Sequence, residues 1–152
     1  MIGALDFALR GFDELNTREL YALLRLRQEV FVIEQHCAYL DADGIDLQSW
    51  HLLGRDEQGA LRAYLRIVPP GLKYTEPSIG RVISAGAVRG SGAGRALMVE
   101  GVAHAGRLFP GLGLRISAQA RLQRFYEGFG FVAEGAEYLE DNIPHVEMAR
   151  RP

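Results

Sequence analysis

From Ile79 to Leu108 an apolar run, Ile79 to Ser84, leads into Arg89-Gly90-Ser91-Gly92-Ala93-Gly94, which opens a stretch of helical periodicity. Leu97, Met98, Val102, Ala105 and Leu108 fall on one face of that stretch, and Pro110-Gly111 ends it. A strand that hands a glycine-rich loop to a helix N-terminus constrains this fold more than any other feature. The loop presents free backbone amides at the positive end of the helix dipole, an arrangement suited to phosphate. Glycine permits close approach of a ligand, and Arg89 and Arg95 add charge beside a diphosphate. Taken alone, the segment also fits a flexible turn.

Two other phosphate patterns do not match. A P-loop requires Lys-Ser/Thr after its last glycine, whereas Gly94 is followed by Arg95-Ala96. A dinucleotide fingerprint sits after the first strand of a βαβ unit with an acidic residue about 20 positions on, whereas this loop lies mid-chain and its helix runs into Pro110-Gly111.

The remainder of the chain reads as one α/β domain over residues 1–152. Leu5, Phe7 and Leu9 alternate with polar or small residues as in a half-buried strand. Asn16 and Glu19 form a capping-box pattern, and Leu20, Leu23, Leu24 and Phe31, with Arg27 among them, predict a helix over 17–31. Residues 34–49 lose periodicity and collect Asp41, Asp43, Gly44 and Asp46, which predicts an ordered loop with at most one helical turn. Trp50 to Leu53 and Ala60 to Val68 read as a hairpin around Asp56-Glu57-Gln58-Gly59, and Pro69-Pro70-Gly71 forces a loop before Ile79. Leu112 to Ala118 predicts a strand, and Leu122, Phe125, Tyr126 and Phe129 a short helix capped by Gly130. Phe131 to Val132 and Val146 to Met148 close as strands. The order β-α-β-β-β-α-β-α-β-β, without repeat or linker, points to a sheet flanked by helices.

Composition excludes several classes. A chain 48% hydrophobic and 24% charged is neither disordered nor fibrous. No apolar run approaches the ~18 residues that cross a bilayer, and the N-terminus lacks a signal pattern, so a cytoplasmic protein without a membrane partner is expected. Residues 1–76 carry eight Lys and Arg against twelve Asp and Glu, and residues 77–152 nine against seven, so the halves are −4 and +2. Without a concentrated basic face, no nucleic acid is expected, and the acidic half suggests a cationic acceptor. Cys37 is the only cysteine, leaving no internal disulfide and no cysteine zinc cluster. Asp41-x-Asp43-x-x-Asp46 lacks the spacing and terminal glutamate of an EF-hand, so no metal is expected.

"RVIS" followed five residues later by "RGSGAG", together with "FYEGFGF", resembles the GNAT N-acetyltransferase superfamily over nearly the whole chain. Arg27 to Gln35, the Asp41/Asp43/Asp46 loop before His51, and the ending Asp141-Asn142-Ile143-Pro144-His145 resemble its small ElaA-like branch. The resemblance implies a GNAT-like fold: a mixed, mostly antiparallel sheet of about six to seven strands, splayed between strands four and five. It implies an acetyl-CoA donor, with backbone groups of Val82, Ile83 and Ser84 on the pantetheine arm and Arg89, Gly90, Ser91, Gly92, Ala93, Gly94 and Arg95 around the pyrophosphate. A splayed strand independently leaves peptide groups that an amide-bearing arm can satisfy like an added strand.

Acyl transfer to an amine needs a neutral nucleophile, donors for the developing oxyanion and a proton for the departing thiolate. Resemblance places Tyr126 against the sulfur as general acid, the alternative being simple packing beside Phe125 and Phe129. Gln119 stands where relatives often carry a cofactor-binding asparagine, and a backbone amide near Ile83 would hold the oxyanion. Many relatives have a glutamate base in strand four, but this strand reads Ser78-Ile79-Gly80-Arg81, so Glu34 is the candidate base. Arg27, Phe31, Asp43, Asp46, His51, Arg66, Arg81 and His145 are candidate residues for binding a small-molecule or peptide amine. Arg27, on an apolar face, requires a carboxylate partner from Asp43, Asp46 or Glu34, which makes a structural ion-pair network an equal reading. His51 also reads as a hydrogen-bonded structural histidine. A homodimer is an admissible assembly. Two alternatives stay open: an acyl-carrier-dependent synthase, since Arg27, Phe31, Asp43, Asp46 and Arg66 are distantly similar to acyl-homoserine-lactone synthases, and a non-catalytic CoA-binding or sensing module.

Overall fold

The structure, a computed structural model, describes residues 4–152. Its elements are β1 (Asp6–Gly11), α1 (Thr17–Arg27), β2 (Trp50–Arg55), β3 (Leu61–Val68), β4 (Ser78–Ser84), α2 (Ala93–Leu108), β5 (Leu114–Gln119), α3 (Gln123–Glu127), β6 (Val132–Glu140) and β7 (Ile143–Arg150), the predicted order. β1-β2-β3-β4 form one antiparallel sheet and β5-β7-β6 another. β4 and β5 share no ladder. Near their bases the Arg115 amide donates to the Pro77 carbonyl at 3.1 Å, and beyond it the strands diverge around a cavity.

Local chemistry accounts for the ends of these elements. Asn16 Oδ1 accepts from the Glu19 amide at 2.8 Å and Glu19 Oε1 from the Asn16 amide at 3.0 Å, a reciprocal cap on α1. α1 stops at Arg27 rather than at 31 and widens into a π-helical turn, Gln28–Glu34. Periodicity cannot separate a 3.6-residue turn from a wider one over so short a span. β6 and β7 are far longer than their apolar cores predicted. β6 is an exposed edge strand whose polar residues carry no alternation, and its register slips beside Gly135, at φ +82°. Asp141 (φ 50°) and Asn142 (φ 61°) form the two-residue turn into β7, a turn that needs positive φ at both positions.

Alternate residues along β2 and β3 face opposite layers. Leu52 and Leu65 join Leu97, Met98, Ile116 and Met148 under α2, while Leu53 and Tyr64 join Leu23, Leu26 and Ile83 under α1. α2 lies close to β3 because Gly101 has no side chain: a Cβ there would stand 2.6 Å from Leu65 Cδ2. Gly101→Val is therefore expected to destabilise the chain by ~1–3 kcal/mol through overpacking, as read from denaturant unfolding.

Candidate active site in the wedge between β4 and β5

Opposite β4, Tyr64 pairs with Ile83 and Arg66 with Gly80, so Arg81 and Val82 together face Leu65. This bulge puts Arg81 at φ +50° and bends β4 away from β5. Peptide groups of β4 that point away from β3 meet no strand. They open instead into a cavity of about 1150 Å³, bounded by the π-helical turn, the glycine loop, α3 and the β6–β7 turn.

At one end lies the glycine loop. Gly90 (φ +80°) and Gly92 (φ +89°) take left-handed dihedrals, and Gly92 caps α2 without a side-chain acceptor, so the first-turn amides of α2 have no helical partners. Gly94 sits where a Cβ would be 3.1 Å from Ser84 Oγ. Arg89 Nε donates to the Ser84 carbonyl at 2.9 Å, tying the loop to β4, and Arg95 lies 5.6 Å over the Phe129 ring. The Ser91 hydroxyl turns back to the Val88 carbonyl and does not line the cavity, unlike the neighbouring loop residues.

Val82, Ile83 and Ser84 form the β4 wall, and Gln119, Phe125 and Tyr126 lie across from it. Tyr126 is 7% exposed, with Phe125 and Phe131 edge-on at 5.1 and 6.3 Å. Burial pushes its phenol up to about 12, against a small opposing influence of Arg121, so the hydroxyl keeps its proton at neutral pH. Gln119 donates to Gln35 Oε1 at 3.3 Å and accepts from Arg121 Nε at 3.1 Å. Glu34 also lines the cavity, but its carboxylate accepts from Arg89 at 2.7 Å.

The predicted acceptor residues divide into two groups. Phe31, Asp43, Arg81 and His145 line the cavity; Arg27, Asp46, His51 and Arg66 do not. From the cavity wall inward, three arginines and three aspartates close a ring: Asp41, Arg27, Asp46, Arg66, Asp43, Arg81 and back to Asp41. Successive contacts are 2.7 Å (Arg27 Nε to Asp41), 2.7 Å (Arg27 to Asp46), 2.9 Å (Arg66 to Asp46), 2.7 Å (Arg66 to Asp43) and 3.4 Å (Arg81 to Asp43). Arg81 Nε lies 2.8 Å from Asp41 Oδ1 as an ion pair outside hydrogen-bond alignment. Arg27 is fully buried, and its partners are Asp41 and Asp46, not Glu34 or Asp43. His51 Nε2 lies 3.0 Å from the Asp46 carbonyl and therefore carries the proton, leaving Nδ1 to accept from the Tyr64 hydroxyl at 2.6 Å. Burial lowers the His51 pKa, which keeps the ring neutral.

Several cavity residues had no sequence signal: Tyr39, Lys73, Ser117 and Glu140; Gln35 and Ile143 lay within the resembling segments but were assigned no role. Only the Asp141-Asn142 pair, with its positive-φ turn chemistry, could have brought β6 residues to the site. Among the described residues, no helix is long and apolar enough to cross a membrane.

A wedge of unpaired β4 peptides, a glycine loop at a helix N-terminus and a buried phenol define an acyltransferase that draws on acyl-CoA. Residues 42–152 match the acetyltransferase (GNAT) domain. A Synechocystis relative is 45% identical over 147 residues, 97% of this chain and 96% of its own, and Escherichia coli protein ElaA is 44% identical over 142, 91% of each. The E. coli ElaA crystal structure aligns with TM-score 0.91 at 40% identity, covering 97% of this chain and 99% of its own. An acyl-CoA N-acyltransferase from Pseudomonas aeruginosa aligns equally, with TM-score 0.91 at 45% identity over 97% and 99%. The chain belongs to the GNAT acetyltransferase family, in its ElaA-like branch.

Proposed function

We propose that this enzyme transfers an acetyl group from acetyl-CoA directly to an amine of a small molecule or peptide within a ternary complex. The observation that carries this reading is a single cavity lined by the glycine loop, by the open edge of β4 and by Asp43, Glu140 and Asp141. Donor and acceptor can therefore meet without an acyl-enzyme step. In this reading the amides of Gly90 and of residues 92–95, with the side chains of Arg89 and Arg95, hold the pyrophosphate. Peptide groups of Val82, Ile83 and Ser84 take the pantetheine arm as a strand would, and Gln119 faces the donor. A β4 amide near Ile83 holds the oxyanion, and Tyr126 gives its proton to the departing thiolate. Phe31, Asp43, Arg81 and His145 contact the acceptor, while Arg27, Asp46, His51 and Arg66 support that wall from behind. Of the residues similar to acyl-homoserine-lactone synthases, Arg27, Asp46 and Arg66 are engaged with one another in the ring away from the cavity, and only Phe31 and Asp43 line it.

Calorimetric titration with acetyl-CoA, followed by thiol release across polyamines, aminoglycosides, amino acids and peptides, tests the proposal. Binding of acetyl-CoA and turnover with at least one amine are expected; binding of acyl-carrier protein in its place would sink it. Gly92→Val places a β-branched residue at φ +89°, which costs ~1–2 kcal/mol, and is expected to weaken acetyl-CoA about tenfold by the same titration.

A further inference from the structure

We propose that His145 is the base that takes the acceptor's ammonium proton and that Glu140 is its positioning residue; the inference rests on the acyl-transfer reading above. β4 offers no carboxylate, since Ser78-Ile79-Gly80-Arg81 stands where a base would be sought. Of the other acids near the cavity, Glu34 pairs with Arg89 at 2.7 Å and Asp41, Asp43 and Asp46 pair with the arginines of the ring, while Asp141 belongs to the β6–β7 turn that carries the candidate below.

The β6–β7 hairpin builds an alternative. Its Asp141-Asn142 turn sets Glu140 opposite Ile143 and Tyr138 opposite His145, so Tyr138, Glu140 and His145 share one face of the hairpin. The His145 side chain is 9% exposed and lines the cavity. Its Nδ1 lies 2.6 Å from the Ile143 carbonyl, which can only accept, so Nδ1 carries a hydrogen, and the ring offers a lone pair on Nε2 only when it is neutral. Nε2 stands 3.3 Å from Glu140 Oε2, on a carboxylate side chain 49% exposed. The imidazole stacks on Tyr138 at 6.1 Å, and the Tyr138 hydroxyl bonds Ser117 Oγ on β5, so the ring is oriented from the wedge itself. The remaining charged or polar groups around it are Asp141 from the turn, Lys73 from the β3–β4 connection, which feels the charge of Glu140, and Gln119, its cross-strand neighbour on β5.

An acceptor ammonium drawn to Glu140 arrives at Nε2 and passes one proton to it; the imidazolium is then held between the Glu140 carboxylate and the Ile143 carbonyl. The freed nitrogen lone pair attacks the thioester carbonyl carbon, the C–N bond forms and the C–S bond breaks with its electron pair on sulfur. Tyr126 protonates that sulfur. The nitrogen gives up two protons in all: one leaves for solvent through His145, and the second restores the Tyr126 phenol.

The test uses the full chain with an amine acceptor identified by thiol release. His145→Gln is expected to lower kcat/KM about 100-fold near pH 7 while acetyl-CoA affinity, read by calorimetry, stays unchanged. Its deficit should shrink as pH rises, because solvent then supplies the free amine. Glu140→Gln, on a half-exposed residue that does not threaten folding, should lower kcat about tenfold, with partial rescue by Glu140→Asp. A deficit equal at every pH, unchanged turnover in both variants, or loss of acetyl-CoA binding in His145→Gln would overturn the assignment. Wild-type turnover with undiminished variants removes the base alone, whereas a wild-type chain that releases no thiol with any amine removes the acyl-transfer reading beneath it.

Discussion

Arg27→Ala should lower the free energy of unfolding by ~3–5 kcal/mol, the largest effect expected of any single substitution in the ring. Arg27 is fully buried and bonded to Asp41 at 2.7 Å, to Asp46 at 2.7 Å and to the Asp41 carbonyl at 2.9 Å. Its removal leaves two aspartates largely out of water with only Arg66 and Arg81 to balance them. Arg27→Met, which fills the volume, should recover little, because the uncompensated carboxylates remain. Urea unfolding followed by circular dichroism measures both, and a loss under about 1 kcal/mol would show that the ring is not a unit. Acid probes the same network. Burial raises the pKa of Asp46 and Asp43, but the hydrogen bonds and charges of the arginines outweigh it and hold both below the ordinary carboxylate range. Their folded values are depressed, so the stability they contribute is present above about pH 4 and is lost as pH falls through those lowered values.

Tyr126→Phe should lower kcat about 100-fold and leave acetyl-CoA affinity within about twofold of wild type. The substitution keeps the ring that packs against Phe125 and Phe131 and removes only the hydroxyl. Because burial pushes the phenol up to about 12, the wild-type enzyme keeps its acid over the neutral and mildly alkaline range, and no alkaline decline below about pH 10 should come from Tyr126. Steady-state thiol release, paired with calorimetry of the donor, separates these effects. Equal turnover in the two proteins would assign Tyr126 to packing.

Much of the glycine-loop end of the cavity was legible in the sequence because local chemistry specifies it. Gly90 and Gly92 occupy left-handed dihedrals, Gly94 a close contact, and α2 begins where the apolar stripe begins. The acceptor half was less legible. Asp41, Asp43 and Asp46 made the first half of the chain look like a magnet for cations, yet Arg27, Arg66 and Arg81 neutralise all three in space. Arg81 comes from the second half, so counting charge by sequence position could not reveal the cancellation. Negative charge along the cavity comes from Glu140 and Asp141, on a hairpin whose polar edge strand has no period-two pattern. Arg27 itself was readable as a residue that needed a partner; which aspartate served it was decided by the path of an aperiodic loop.

The division of the sheet has a mechanical consequence. β1 to β4 and β5 to β7 are two plates, each laddered within itself apart from its bulges, joined along their shared seam among the described residues by the Pro77–Arg115 backbone bond, the Arg115–Glu76 ion pair and the side chains packed beneath α2. A hydrogen-bonding molecule seated in the seam replaces the missing ladder and turns two plates into one continuous surface. If the donor sits there as proposed, loading the enzyme is also an act of assembly, and the distance between β4 and β5 is a dimension of the sheet that chain and substrate set together.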